Sequence, residues 1–340
     1  MQMGEAFIRT LFKRVLGVEI ASPIPRMTYR EAMDRFGSDK PDTRFGLEIK
    51  DLTDLVKECE FSVFRSACES GSVRAICVPQ GAAAYSRKEL DKLTEFVKGI
   101  GAKGLAWAKC NPDGIQSSFG KFMKEQEMQA IVERAGAATG DLLLIVADAK
   151  NSVVLPTLGA LRGEVARKLE LIPEGKYNFL WITQFPFFEW DEDLQTYVAM
   201  HHPFTSPMDE DIPLLDTDKG SVRAKAYDLV LNGVEMSSGS IRITDPALQK
   251  KMFSALGLSD EEAQTKFGFL TDAFKYGAPP HGGMGLGLDR LVMIMLGGKS
   301  IRDVVAFPKV QNMSELMTEC PSPVDNAQLE ELHIAVTEKE

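Results

Sequence analysis

The chain has 340 residues, 44% of them hydrophobic and 26% charged, with a formal net charge of −10. This is an ordinary globular composition, long enough for two domains, and no apolar run approaches the roughly 20 residues a membrane helix needs. The acidic balance excludes a surface that binds nucleic acid throughout, because affinity for a polyanion comes largely from Lys and Arg. The five cysteines, odd in number and without C-x-x-C spacing, speak against a structural zinc site and point to a reducing, cytoplasmic setting.

In chain order, residues 1–18 place Phe7, Ile8, Leu11, Phe12 and Val15 on one helical face. Glu5 and the direct run into Glu19 argue against a mitochondrial presequence. Thr28-Tyr-Arg-Glu31 is a capping box for a short helix ending at Phe36, followed by a turn-rich segment over 37–44. The next block predicts a helix over 52–59, strands over 61–64 and 73–78, and a helix from the Ser86 cap to Ile100. It continues with a strand over 105–109, a helix over 119–135 and a buried strand over 142–147. It holds no catalytic constellation, so 51–148 reads as an inserted α+β module between residues 1–50 and 149–340. A helix over 152–169 leads into an antiparallel pattern at 178–185 and 196–201, then a hairpin. Helices over 248–256 and 260–276 complete an α+β arrangement.

The hairpin is Tyr227-Asp-Leu-Val-Leu-Asn-Gly-Val-Glu-Met236, where Asn232-Gly233 calls for a two-residue type I′ turn. That turn sets Leu231 opposite Val234 and Val230 opposite Glu235, so Asp228, Val230 and Glu235 share a face. Asp228 and Glu235 are then diagonal neighbours with backbones roughly 7–8 Å apart. Two carboxylates so placed repel unless a cation lies between them, and a magnesium ion with phosphate oxygens meets that demand. Two solvated acids on an exposed face are the plainer alternative. Arg242, downstream on the continuing strand, has the bidentate fork suited to a carboxylate ligand. His201 and His202 close the preceding strand. Adjacent strand residues point to opposite faces and do not readily share one metal ion, so at least His201 reads as a polar pocket wall, with a purely structural pair as the alternative.

Between His281 and Arg290, Gly283, Gly285 and Gly287 alternate with Met284, Leu286 and Leu288. In a strand this leaves one face bare, as if something flat approached the backbone; tight packing under a helix is the alternative. The run from Leu291 reads as a buried helix entered through Asp289, which suits a helix start, and Arg290, whose guanidinium can lie over an aromatic ligand. Neither the G-x-G-x-x-G spacing nor a Walker A lysine loop, G-x-S-x-G or Ser-His-Asp arrangement is present.

The segment Gly283–Arg290 resembles the third signature motif of class II aminoacyl-tRNA synthetases. Together with Tyr29–Met33, Gly37–Asp42, Met200–Pro207, Asn232–Glu235, Ser240–Arg242 and Arg302–Lys309, it resembles the bacterial-type aspartyl-tRNA synthetases over nearly the whole chain. The resemblance implies an incomplete class II antiparallel sheet flanked by helices, with 51–148 in the place of a GAD insertion domain. It implies an aspartate pocket at His201, His202 and Arg242, with Arg242 on the side-chain carboxylate. Glu235, Gly287, Leu288, Asp289 and Arg290 would meet ATP over the glycine strand, with Arg290 stacked on adenine as the catalytic arginine. Asp228 and Glu235 would hold Mg2+. The implied partners are ATP, L-aspartate, tRNA(Asp) with tRNA(Asn) left open, and a second subunit, the family being dimeric. The family's anticodon-binding barrel and its first two motifs find no match, so negligible adenylation by these residues alone is expected. A non-catalytic binding or regulatory module is the rival reading. A tRNA-independent asparagine synthetase of the same fold is disfavoured by the insert.

Overall fold

The computed structural model describes residues 1–337. It divides into one unit spanning Met1–Leu286 and a second from Gly287 onward. Among the described residues no helix is long and apolar enough to cross a membrane.

The strands are β1 (Arg26–Thr28), β2 (Lys50–Asp51), β3 (Ser72–Val78), β4 (Ala106–Asn111), β5 (Gly114–Ser117) and β6 (Leu142–Asp148), then β7 (Phe179–Thr183), β8 (Phe188–Asp191), β9 (Thr196–Ala199), β10 (Ala226–Leu231), β11 (Val234–Ile241) and β12 (Gly282–Leu286). They form a sheet of order β1-β7-β10-β11-β12, a second of order β2-β3-β6-β4-β5, and the β8-β9 pair. Every pairing is antiparallel except β1 with β7. This is the expected mixed fold of antiparallel sheets flanked by helices.

The second sheet lies wholly within residues 50–148 and is covered on both faces. Ile76, Leu144 and Val146 pack with Leu90, Leu93 and Val97 and with Val154, Leu158, Leu161 and Val165. Val73, Leu143 and Ile145 pack instead with Leu52, Phe64, Phe119 and Ile131. The helix Asn151–Lys168 thus shares a core with the block it follows. The predicted strand over 61–64 is a helix, Ser62–Cys68. Phe64 and Ala67, three apart, turn one helical face into the core, and the short aromatic run was ambiguous between the two periods. The predicted helix over 119–135 is broken: a 3₁₀ turn at Gly120–Phe122 precedes a helix Glu125–Ala135, whose start is set by the Lys124 backbone N–H bonded to Glu127.

In the first sheet the two faces differ. Below, the helix Gln2–Leu16 buries Gly4, Glu5, Ile8 and Phe12. Glu5 accepts from the Trp181 indole at 3.1 Å and from the Ile24 N–H at 3.4 Å. Phe7 and Val15, expected on the same face, remain exposed. Above, Leu180, Ile182 and Val230 join Met27, Phe36, Phe185 and Leu215 in a closed core. That cover ends at β10: towards the sheet edge the upper face carries serine and glycine.

Near this core, the nearly buried Asp211 carboxylate accepts from the Arg223 N–H at 2.9 Å, its Nε at 2.7 Å and its Nη2 at 2.9 Å. These contacts hold Asp211 below the usual carboxylate range, the guanidinium bond outweighing burial. The stabilisation is fully present above about pH 4, the unfolded value, and is lost as pH falls through the lower folded value. Asp211→Asn should cost about 1–2 kcal/mol at pH 6 and progressively less toward pH 3. Urea unfolding midpoints at the two pH values check this, and a pH-independent difference would refute it.

Candidate functional site

The hairpin forms with the expected turn. Leu231 pairs with Val234 and Val230 with Glu235, and Asn232 and Gly233 take φ of 53° and 84°. Beyond this the ladder is irregular: Leu229 pairs with Ser237 and Asp228 with Ser238, leaving Met236 as an unpaired bulge residue. An unbroken ladder would set Ser237 opposite Asp228. The bulge reverses the alternation of β11, bringing Ser238, Ser240 and Arg242 to the face that carries Asp228 and Glu235.

Across β12 the register continues, with Ser238 opposite Gly285 and Ser240 opposite Gly283. One row therefore runs Asp228, Ser238, Gly285 across three strands. A Cβ added at Gly283 or Gly285 would meet nothing within 4 Å, so the upper face there is open. The serines, the glycines and their neighbours floor a cavity of about 540 Å³, walled by His201, His202, Thr205, Arg242 and His281.

Backbone bonds bring these walls together. The segment 204–206 runs beside 241–243 through Ser206 N–H to the Ile241 carbonyl (2.8 Å) and Ile243 N–H to the Phe204 carbonyl (2.9 Å). Arg242 N–H donates to the His281 carbonyl at 3.0 Å. Gln249, from the helix Pro246–Ala255, donates to the Pro203 carbonyl at 3.0 Å, and Phe204 packs edge-on to Phe253 and Phe267. Of the four histidines in the chain, three thus meet at one cavity.

Arg242 has no carboxylate within ion-pair distance among the described residues; its Nη1 donates to Thr205 Oγ1 at 3.5 Å. His202 Nδ1 accepts from the Phe204 N–H at 3.2 Å, which puts the imidazole proton on Nε2. Burial lowers the His202 pKa, and the Arg242 charge adds to the effect. His201, packed edge-on to Phe185 at 4.8 Å, is lowered by burial against the opposing pull of Asp39, Glu189 and Glu235. At neutral pH the Arg242 guanidinium therefore stands beside neutral imidazoles at His201 and His202.

Asp228 is 6% exposed, and its Oδ1 has no hydrogen-bond partner among the described residues. Burial pushes the carboxyl up to about 6; the Ser238 hydroxyl opposes this, and the Glu235 charge adds to it. A buried carboxylate oxygen without a donor, beside a second acid, suits a hard cation. No group of three His, Cys, Asp or Glu able to hold a metal occurs among the described residues, so such an ion would need ligand or water oxygens as well.

Gly287, Leu288, Asp289 and Arg290 belong to the second unit. There Gly287 precedes the helix Leu288–Met295, Asp289 lies in its first turn, and Arg290 is exposed. Within that helix only Leu291 is buried, so the expected buried helix is corrected to a partly exposed one. His281, Ser238 and Ser240 carry no predicted role in the sequence. The signal for the two serines is their i, i+2 spacing with Arg242, readable once the bulge is known; His281 arrives through its backbone bond to Arg242.

On the underside, Ser237 is 2% exposed and its hydroxyl lacks a partner among the described residues. Ser237→Ala should therefore be neutral or stabilising by up to about 1 kcal/mol. A loss above that size in urea unfolding would contradict the assignment.

The model of the class II tRNA synthetases (D, K and N) matches residues 1–311. The chain belongs to this family. As a class II synthetase chain it is 56% identical over 341 residues to an aspartate–tRNA ligase of Ruminiclostridium cellulolyticum, covering 100% of this chain and 57% of that one. It is 55% identical over 341 residues to an aspartate–tRNA(Asp/Asn) ligase of Lachnoclostridium phytofermentans, with the same coverage. It is 56% identical over 337 residues to an aspartate–tRNA(Asp/Asn) ligase of Caldanaerobacter subterraneus, covering 99% and 57%. The synthetase chain spans a little over half the length of these curated relatives.

Proposed function

We propose that the chain serves aspartate–tRNA ligation in the cytoplasm: ATP-dependent activation of L-aspartate to aspartyl-adenylate, then transfer to the 3′ end of tRNA. The carrying observation is an Arg242 guanidinium with no carboxylate within ion-pair distance among the described residues, lining a cavity floored by serines and an open glycine strand. A planar fork in a partly enclosed site is matched to a carboxylate. In activation, an α-carboxylate oxygen of aspartate attacks the α-phosphorus of ATP and pyrophosphate leaves. Arg242 holds the side-chain carboxylate, and His202 offers its Nε2 proton as a further donor. His201 completes the wall, and the glycine strand admits the flat part of the nucleotide. Asp228 and Glu235 would hold Mg2+, which supplies counter-charge for the phosphates when bound. The residues contribute positioning and charge, which are the principal means of catalysing phosphoryl displacement. Gly287, Leu288, Asp289 and Arg290 are assigned to the nucleotide, with Arg290 over adenine. Residues 51–148 are assigned as a GAD-type insert in a catalytic domain formed by 1–50 and 149–340. A second subunit and tRNA(Asp), or both tRNA(Asp) and tRNA(Asn), are the expected partners.

Calorimetric titration of the chain with L-aspartate, L-asparagine and Mg-ATP tests this reading. An amide turns N–H donors toward the guanidinium, so L-asparagine should bind about 100-fold more weakly than L-aspartate. Equal affinity for the two would overturn it. Pyrophosphate exchange by these residues alone is expected to be negligible, so ligand binding is the deciding readout.

A further inference from the structure

The geometry points to Tyr227 as a positioning residue that fixes the glycine strand from beneath. This rests on the reading of that strand as a nucleotide floor. β12 is the last strand of its sheet and pairs on one side only. Gly282, Gly283 and Gly285 give it little packing of its own and an unusually large loss of backbone freedom on ordering. An open platform built that way needs an attachment beyond the ladder.

Tyr227 provides one. It stands opposite Gly239 on β11, which in turn stands opposite Met284 on β12. Its ring lies across Gly239 so closely that a Cβ there would come within 2.6 Å of Tyr227 Cε2. Glycine at 239 therefore lets the ring pass beneath β11. At the far side the phenol donates to the Gly283 carbonyl at 3.1 Å. The ring is backed by Trp181, edge-on at 6.0 Å, and Trp181 is held by Glu5. Met284 turns down against Gly4 of the N-terminal helix, where a Cβ would meet its sulfur at 2.9 Å. The strut thus reaches from the underside of the sheet to the backbone of the floor without entering the cavity.

Tyr227→Phe keeps the ring on Gly239 and removes only the bond to Gly283, so the variant should fold. Hydrogen exchange of the full chain, with Mg-ATP and L-aspartate titrated separately, tests the role. The expected result is exchange at residues 282–286 accelerated about tenfold, with β7 and β10 unchanged. Mg-ATP affinity should fall about fivefold, the worth of one ordinary hydrogen bond, and L-aspartate affinity should stay within about twofold. Unchanged exchange at 282–286 would overturn the proposal, as would acceleration spread through β7 and β10. If the unsubstituted chain binds no Mg-ATP, the nucleotide reading fails, and the exchange comparison alone decides whether Tyr227 is a strut.

Discussion

Arg242→Ala is expected to weaken L-aspartate binding by about two orders of magnitude, or ~3 kcal/mol, while leaving the unfolding midpoint nearly unchanged. Affinity should fall steeply because Arg242 is the cation placed among the cavity walls, with no carboxylate among the described residues within ion-pair distance to compete for it. Truncation would leave the ligand's carboxylate facing two neutral imidazoles and a row of hydroxyls. Stability should hardly move, because the side chain's hydrogen bond within the described residues is the long contact to Thr205, at 3.5 Å. Arg242→Lys keeps the charge but loses the fork, so about a tenfold loss is expected from it. Thr205→Val should cost only about two- to threefold, the share of one weak bond. Calorimetric titration of the three variants gives the ranking. Arg242→Ala binding L-aspartate within threefold of the unsubstituted chain would remove the guanidinium from the site and the aspartate reading with it.

The site was legible in the sequence to the extent that local rules govern it. The Asn232-Gly233 turn fixed its own register, because the left-handed backbone of both turn residues is set by residue type. Alternating glycines announced a bare face, and both Cβ positions are indeed open. The bulge at Met236 was not legible. Nothing in residues 234–242 marks where one residue drops out of pairing, yet an unbroken ladder would have sent Arg242 to the face opposite Glu235. The convergence of three histidines was hidden for a related reason. It depends on 204–206 lying beside 241–243, a contact between segments more than thirty residues apart. At the other end of the chain, periodicity put Phe7 and Val15 on the buried face of the N-terminal helix. The structure covers only the narrower stripe of Ile8 and Phe12, because what a helix buries is set by the width of its partner.

Arg162→Ala is expected to destabilise the chain by ~4 kcal/mol, a large part of the 5–15 kcal/mol typical of folded proteins. Arg162 is 2% exposed and lies on the helix that follows the second sheet. Its Nε donates to the Leu47 carbonyl at 2.9 Å, and its Nη2 to those of Gly46 at 2.9 Å and Asp42 at 3.4 Å. The guanidinium sits 4.8 Å from the centroids of both Phe36 and Phe45. Burial pushes its pKa down, and Asp42 and Glu48 pull it back up. Removing the side chain would leave three carbonyls without their donor and open a gap between two rings, costs that add. Lysine restores the charge but not the plane, so Arg162→Lys should still lose ~2 kcal/mol. The loss should reach the candidate site. Asp42 packs against Gly233 of the hairpin turn, and Asn178, tied to Thr43, is held by Asn232. That hairpin carries Asp228 and Glu235. Urea unfolding of the three proteins, paired with Mg-ATP titration under native conditions, reads both effects. Arg162→Ala unfolding within 1 kcal/mol of the unsubstituted chain would show that the loop over 42–47 is held by other contacts.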